Sequence, residues 1–136
     1  MIRGIVHDPV FLAQPSAEAD EGDIHIAEDL IDTLRANLHC CVGMAANMIG
    51  ERKRIIAIAK GPMVIAMMNP RIISRTGEYE TEEGCLSLEG KKKTRRWKRI
   101  RVQWQDICMQ EHIEILEGFQ AQIVQHEIDH CNGILI

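Results

Sequence analysis

The chain predicts an α+β fold: an early helix, antiparallel strands through the middle, and a closing helix that carries His126 and His130 into the core. Three observations predict it. Apolar residues recur at spacings of three and four from Ile24 to Leu38. Short apolar runs between Arg54 and Leu116 alternate or are bounded by turn residues. A last segment of helical length lies between Gly118 and Asn132-Gly133, the second glycine suited to a left-handed cap.

The 136 residues suffice for one domain with one modest core, so residues 1–136 are expected to form a single domain. Apolar residues at 46% and charged residues at 26% are ordinary for a soluble globular chain. A net charge of -4 argues against a dedicated nucleic-acid binder. No stretch approaches the roughly 20 apolar residues of a membrane span. Met1-Ile2-Arg3-Gly4 lacks the apolar core of a signal peptide, so a cytoplasmic location without a membrane partner is expected. Five cysteines cannot all pair, and Cys40 and Cys41 are adjacent; they are expected to stay thiols, four of them as packing residues.

Residues 1 to 23 are expected to be irregular, because Asp8-Pro9 and Gln14-Pro15 interrupt any helix. The acidic residues Glu18, Asp20, Glu21 and Asp23 suit a solvated loop. From Ile24 to Leu38 the stripe Ile24, Ala27, Leu30, Ile31, Leu34 and Leu38 predicts a helix with Asp23 as its N-cap. His25 and His39 at its ends are expected on the surface. Small residues dominate Cys41 to Gly50, which fits either a close backbone approach or a tight turn feeding a strand. Arg54–Ala59 and Val64–Asn69 suggest two strands, Asn69-Pro70 a break, and Arg71–Arg75 a third strand. The acidic Glu78, Glu80, Glu82 and Glu83 then lead into Gly84-Cys85-Leu86-Ser87. Lys91 to Arg101 is basic with Trp97 in its midst; a solvated sheet face, or a surface for something acidic, accounts for it better than nucleic acid. Ile100, Val102 and Trp104 alternate with polar residues, and Ile113 and Ile115 alternate against His112, Glu114 and Leu116, giving two strands joined through residues 106–111. His112 is expected to be exposed.

The chemistry is concentrated in Gln125-His126-Glu127-Ile128-Asp129-His130. On a helix, His126 and His130 project from one face, one turn apart, the spacing at which two imidazoles share a metal ion. Glu127 follows the first histidine and can lean towards a bound water. Taken alone, the stretch also fits an exposed helix turn. Cys85, held between a glycine and a hydrophobic run, is the proposed third ligand, leaving one position of a tetrahedral ion open. Cys131 points about 100° away from His130 and competes poorly.

Three segments together resemble the peptide deformylase family. Glu83-Gly84-Cys85-Leu86-Ser87 and His126-Glu127-Ile128-Asp129-His130 match two of its motifs in full, and Val6-His7-Asp8-Pro9-Val10 resembles its N-terminus. The resemblance covers nearly the whole chain. It implies antiparallel sheets around a C-terminal metal-binding helix. It implies Cys85, His126 and His130 as ligands and Glu127 as general acid/base in removing the formyl group from N-formylmethionine of nascent polypeptides. The implied ion is Fe2+, with Zn2+, Ni2+ or Co2+ able to replace it. The implied partners are an N-formylated peptide, bound extended along a strand edge, and the ribosome near its exit tunnel. The Leu86 N–H matches an oxyanion donor, and Asp129, paired with Arg96, lies behind the ligands. Gly43, Phe119, Gln122 and Ile123 fall at substrate-binding positions.

The first motif departs from the family's Gly-x-Gly-x-Ala-Ala-x-Gln: Cys41 stands at the first glycine and Met48 at the glutamine. Methionine has no donor for the oxyanion, a loss of about 3 kcal/mol in the transition state. Asn47, one residue earlier, is the candidate substitute. Gln122 makes the expected methionine pocket partly polar. Two alternatives follow: an impaired relative that binds blocked peptide N-termini, and an amidase of the same fold acting on another acyl group.

Overall fold

The computed structural model describes residues 1–136. Three helices, α1 (Pro9–Leu12), α2 (Ile24–Ala36) and α3 (Gly118–Cys131), accompany strands β1 (Gly43–Ala45), β2 (Ile55–Lys60), β3 (Met63–Gly84), β4 (Lys91–Gln105) and β5 (Glu111–Glu117). The strands form one five-stranded antiparallel sheet in sequence order, β1 to β5. α2 packs over β2 and β3, and α3 over β1, β2 and β4. Ile55, Ile56, Ala57 and Ile58 of β2 are therefore all buried, the mark of a strand covered on both faces. The α2 stripe contributes Ala27, Leu30 and Leu34, each with no exposed surface. No helix is long and apolar enough to cross a membrane.

Several local expectations are corrected. Asp8-Pro9 starts α1 instead of preventing it: Asp8 accepts from the Val10 N–H at 2.9 Å, and proline suits the first helical position. Asp23 makes no side-chain cap on α2; it closes a capping box with Asp20 around a short 3-10 turn, so those acids are structured. α2 ends at Ala36, two residues early, where the Asn37 amide turns back to donate to the Thr33 carbonyl.

Asn69-Pro70 does not break the chain. β3 runs on through a bulge in which Asn69 adopts φ 51, a left-handed conformation asparagine tolerates. The Asn69 side chain fixes the bulge by accepting from the Ala19 N–H and donating to the Ala19 carbonyl and Gln105. A bulge is also where proline's missing donor is harmless.

Beyond the bulge, β3 and β4 form a long ribbon. The acidic run is strand, and the acidic partner of the basic run lies in the same chain: Glu83 faces Lys92, Glu82 faces Lys93 and Glu80 faces Arg95. Arg75 stacks on Trp97, 3.7 Å above its ring.

On β5 the outward face is the one with Ile113 and Ile115, both more than half exposed. Leu116 opposite Ile100 and His112 stacked on Trp104 face inward. His112 is thus half-buried and paired with Asp106 at 2.7 Å. Cys40 and Cys108 are exposed and so lie outside the core, unlike the buried Cys131. His25 and His39 are on the surface as expected.

Candidate metal centre and substrate cleft

Gly118 to Cys131 is helical, and His126 and His130 project from α3 onto the same point. Their Nε2 atoms face each other at 3.1 Å. Cys85, in the turn that follows β3, brings its Sγ to 3.3 Å from His130 Nε2. One donor atom from each of Cys85, His126 and His130 lies within 4.8 Å of the others, a group that could hold a metal ion.

The outer residues fix this geometry. Glu83 accepts from His126 Nδ1 at 2.8 Å, which leaves Nε2 as the free donor atom of that ring. Arg96 grips Glu83 through Nη2 at 2.7 Å and reaches Asp129 through Nη1 at 2.7 Å. Gln122 adds a third bond, from its amide to Glu83 at 2.8 Å. Burial works to raise the Glu83 carboxyl, but the bonds from His126, Arg96 and Gln122 prevail and hold it at about 2. Gln125 clamps α3 to β4, accepting from the Trp97 N–H and donating to the Trp97 carbonyl. Those two hydrogen bonds set the helix rotation one residue before His126.

The donor set suits a divalent transition ion: one thiol and two imidazoles with converging lone pairs. Two facing ring nitrogens at 3.1 Å cannot both carry protons. Burial works to lower His126, yet the nearby Cys85 sulfur and the Glu83 carboxylate push it up. Burial and the charge on His126 push His130 down to about 3. The two Nε2 atoms and the Cys85 sulfur thus face one point, where a divalent ion would take the place of the shared proton. Glu127 is buried beside them with Oε1 unpartnered. Burial raises its carboxyl to about 7, against the opposing pull of His126.

These groups open onto a cleft of about 550 Å³, which brings together Cys85, Leu86, His126 and Glu127 with Gly43, Met48, Phe119, Gln122 and Ile123. Phe119 is exposed at the rim, and His130 lies fully buried beneath. Of the two readings for the small-residue segment, close approach is the one the structure shows. A Cβ at Gly43 would meet Ile123 Cγ2 at 2.7 Å and Glu127 Oε2 at 2.8 Å. Gly43→Ala should therefore push α3 and Glu127 off position. We expect at least a tenfold loss of turnover, with stability lowered by about 1–3 kcal/mol. Kinetics and thermal unfolding on one preparation check this, and an unchanged rate would show that the contact relaxes freely.

Asn47 does not replace the missing glutamine. Its amide donates to the His130 carbonyl at 3.0 Å, so it braces the end of α3. Met48 is buried, and its Sδ accepts from the Ala45 N–H at 3.4 Å. Glu83 and Gln125 are positioning residues that stood in the quoted motifs without an assigned role. The signal for Glu83 was its place two residues before Cys85, at the end of an acidic run.

A thiol and two imidazoles converging beside a buried carboxylate, in an α+β fold, define a metal-dependent hydrolase. The chain belongs to the peptide deformylase family: the family model described as polypeptide deformylase matches residues 5–136. It is 50% identical over 136 residues to the peptide deformylase of Clostridium beijerinckii, covering 100% of both chains. The crystal structure of a peptide deformylase from Legionella pneumophila superposes with a TM-score of 0.88 at 34% identity, over 99% of this chain and 83% of that one. A Met-Ala-Ser-bound class I type b peptide deformylase from Acinetobacter baumannii gives a TM-score of 0.88 at 26% identity, over 99% and 97%. The family is metal-dependent and acts on formylated nascent peptides, and this chain is an enzyme of that kind, removing the N-formyl group from N-formylmethionine.

Proposed function

We propose that residues 1–136 form one deformylase domain in which Cys85, His126 and His130 hold a single divalent ion, ferrous iron in the cell. The observation that carries this is the convergence of those three donor atoms within 4.8 Å beside buried Glu127. When bound, the ion supplies Lewis acidity to the formyl carbonyl and to the attacking water. Glu127 takes the proton of that water and delivers it to the departing amine, so that formate and a free peptide N-terminus result. The Leu86 N–H, which has no partner within the chain, donates to the oxyanion as the formyl carbon becomes tetrahedral. Glu83 keeps His126 in the tautomer with Nε2 free, and Arg96 with Asp129 keeps Glu83 in place.

The peptide lies extended along the free edge of β1, the outermost strand of the sheet. Its first side chain enters the cleft between Phe119, Gln122 and Ile123. The Met-Ala-Ser held by the Acinetobacter baumannii relative has the chemistry of a deformylated product, which supports a peptide of this kind as the occupant of the cleft. The site of action is the cytoplasm, close to the ribosomal exit tunnel where N-termini emerge.

Met48 lowers the rate without removing it. Met48→Gln would put Oε1 where Sδ now meets the Ala45 N–H and turn the amide NH2 to the cleft. The rate should rise about tenfold or more, in kcat more than in KM, because the donor acts on developed charge. Stability should change by less than about 1.5 kcal/mol, since the side-chain volumes are close. Formate release measured across a formyl-Met-peptide series checks this; a wild-type chain as fast as the variant would mean that another donor already serves.

A further inference from the structure

The hydrogen bonding of β1 decides which of its backbone groups are free. The Val42 carbonyl accepts from the Ala59 N–H at 2.9 Å, so at that residue the backbone faces β2. Gly43, opposite Ile58, therefore turns its N–H and C=O away from β2, and Ala45 does the same two residues on. Because β1 is the outer strand, these groups form the open edge beside the cleft.

Two sulfur atoms sit on that edge. Cys41 Sγ donates to the Gly43 carbonyl at 2.8 Å. Met48 Sδ accepts from the Ala45 N–H at 3.4 Å. They belong to the two residues at which the first motif departs from the family pattern. A glycine at position 41 would have no side chain with which to reach that carbonyl. Cys41 is half-buried in the cleft wall. Burial pushes its thiol up to about 12, so it keeps its proton at neutral pH and is a donor rather than a nucleophile.

We propose that Cys41 is a residue that sets substrate affinity: its S–H caps the Gly43 carbonyl, an outward acceptor on the edge where the peptide pairs, so a substrate N–H must displace or share it. The proposal rests on the deformylase reading with the peptide along β1. Main-chain pairing is the part of recognition that ignores side chains. The cap therefore weakens affinity for all peptides alike and leaves the bond-breaking step untouched. The expected size is that of one neutral hydrogen bond, roughly three- to tenfold.

The test compares metal-loaded wild-type, Cys41→Gly, Cys41→Ala and Cys41→Ser enzymes. Each is titrated with Met-Ala-Ser by calorimetry. Each is also assayed for formate release from formyl-Met-Ala-Ser and from the same peptide N-methylated at one main-chain amide at a time. Cys41→Gly and Cys41→Ala should both lower Kd and KM by about three- to tenfold with kcat held. Cys41→Ser, whose hydroxyl keeps a donor, should stay close to wild type. The gain should vanish on one of the methylated peptides, the one that lacks the N–H meeting Gly43. Equal Kd and KM in wild type and Cys41→Ala would overturn the proposal. So would a serine variant that tracks alanine, or a gain that survives on every methylated peptide. Absence of formate release from all four enzymes would count against the deformylase reading alone, because the calorimetric ratios still decide the cap.

Discussion

Glu127→Ala is expected to keep its metal and to lose turnover by about a hundredfold to ten-thousandfold, the range of a removed general acid–base. Glu127 is buried at the floor of the cleft, next in sequence to His126, yet its carboxylate is not among the converging donor atoms. One of its oxygens has no partner in the chain, and the other lies against Gly43. Removing it leaves Cys85, His126, His130 and the Glu83 brace in place. Metal content and formate release measured on the same sample separate the two effects. Unchanged turnover would mean that Glu127 moves no proton in this enzyme.

Cys85→Ala is expected to abolish tight metal binding and, with it, activity. Two imidazoles on one helix turn remain, but they lose the only thiolate and the only ligand from the β3 end. The fall in affinity should exceed the roughly 10–100-fold that accompanies loss of an outer hydrogen-bond partner. The fold should persist, because Cys85 is only half-buried and its local bonds are one from the Ser87 N–H and one backbone turn to Leu88. Dialysis followed by metal analysis and thermal unfolding checks both halves. Full occupancy in the variant would place the third ligand elsewhere.

What the sequence made legible was local and periodic. α3 could be bounded at Gly118 and Cys131 because a glycine marks each end of the segment and the motif has helical spacing. The core face of β4 followed from alternation at Ile100, Val102 and Trp104. Long-range pairing was not legible. β3 broke into three pieces on paper because Asn69-Pro70 reads as punctuation, whereas the bulge is held by Ala19 and Gln105 from distant parts of the chain. On β5 the alternation led to the expectation that His112 is exposed. Register with β4 put Leu116 against Ile100 and His112 against Trp104 instead, and a shift of one residue inverts a strand. In the site, motif residues were legible because their chemistry is written in residue type and spacing. The role of Glu83 depends on β3 extending as far as Gly84, which a reading of the acidic run as a connection concealed. The fate of Asn47 and Met48 was set by partners, the His130 carbonyl and the Ala45 N–H, that only the folded chain supplies.

The most direct measurement is formate release from a formyl-Met peptide by protein purified without oxygen, with metal stoichiometry taken on the same sample before and after chelation. The expected result is one divalent ion per chain, formate release that stops when the ion is removed, and recovery when ferrous iron or another divalent ion is returned. A metal-free sample that releases formate at the original rate, or a fully loaded one that releases none, would contradict the assignment of Cys85, His126 and His130 as the catalytic metal centre of a deformylase.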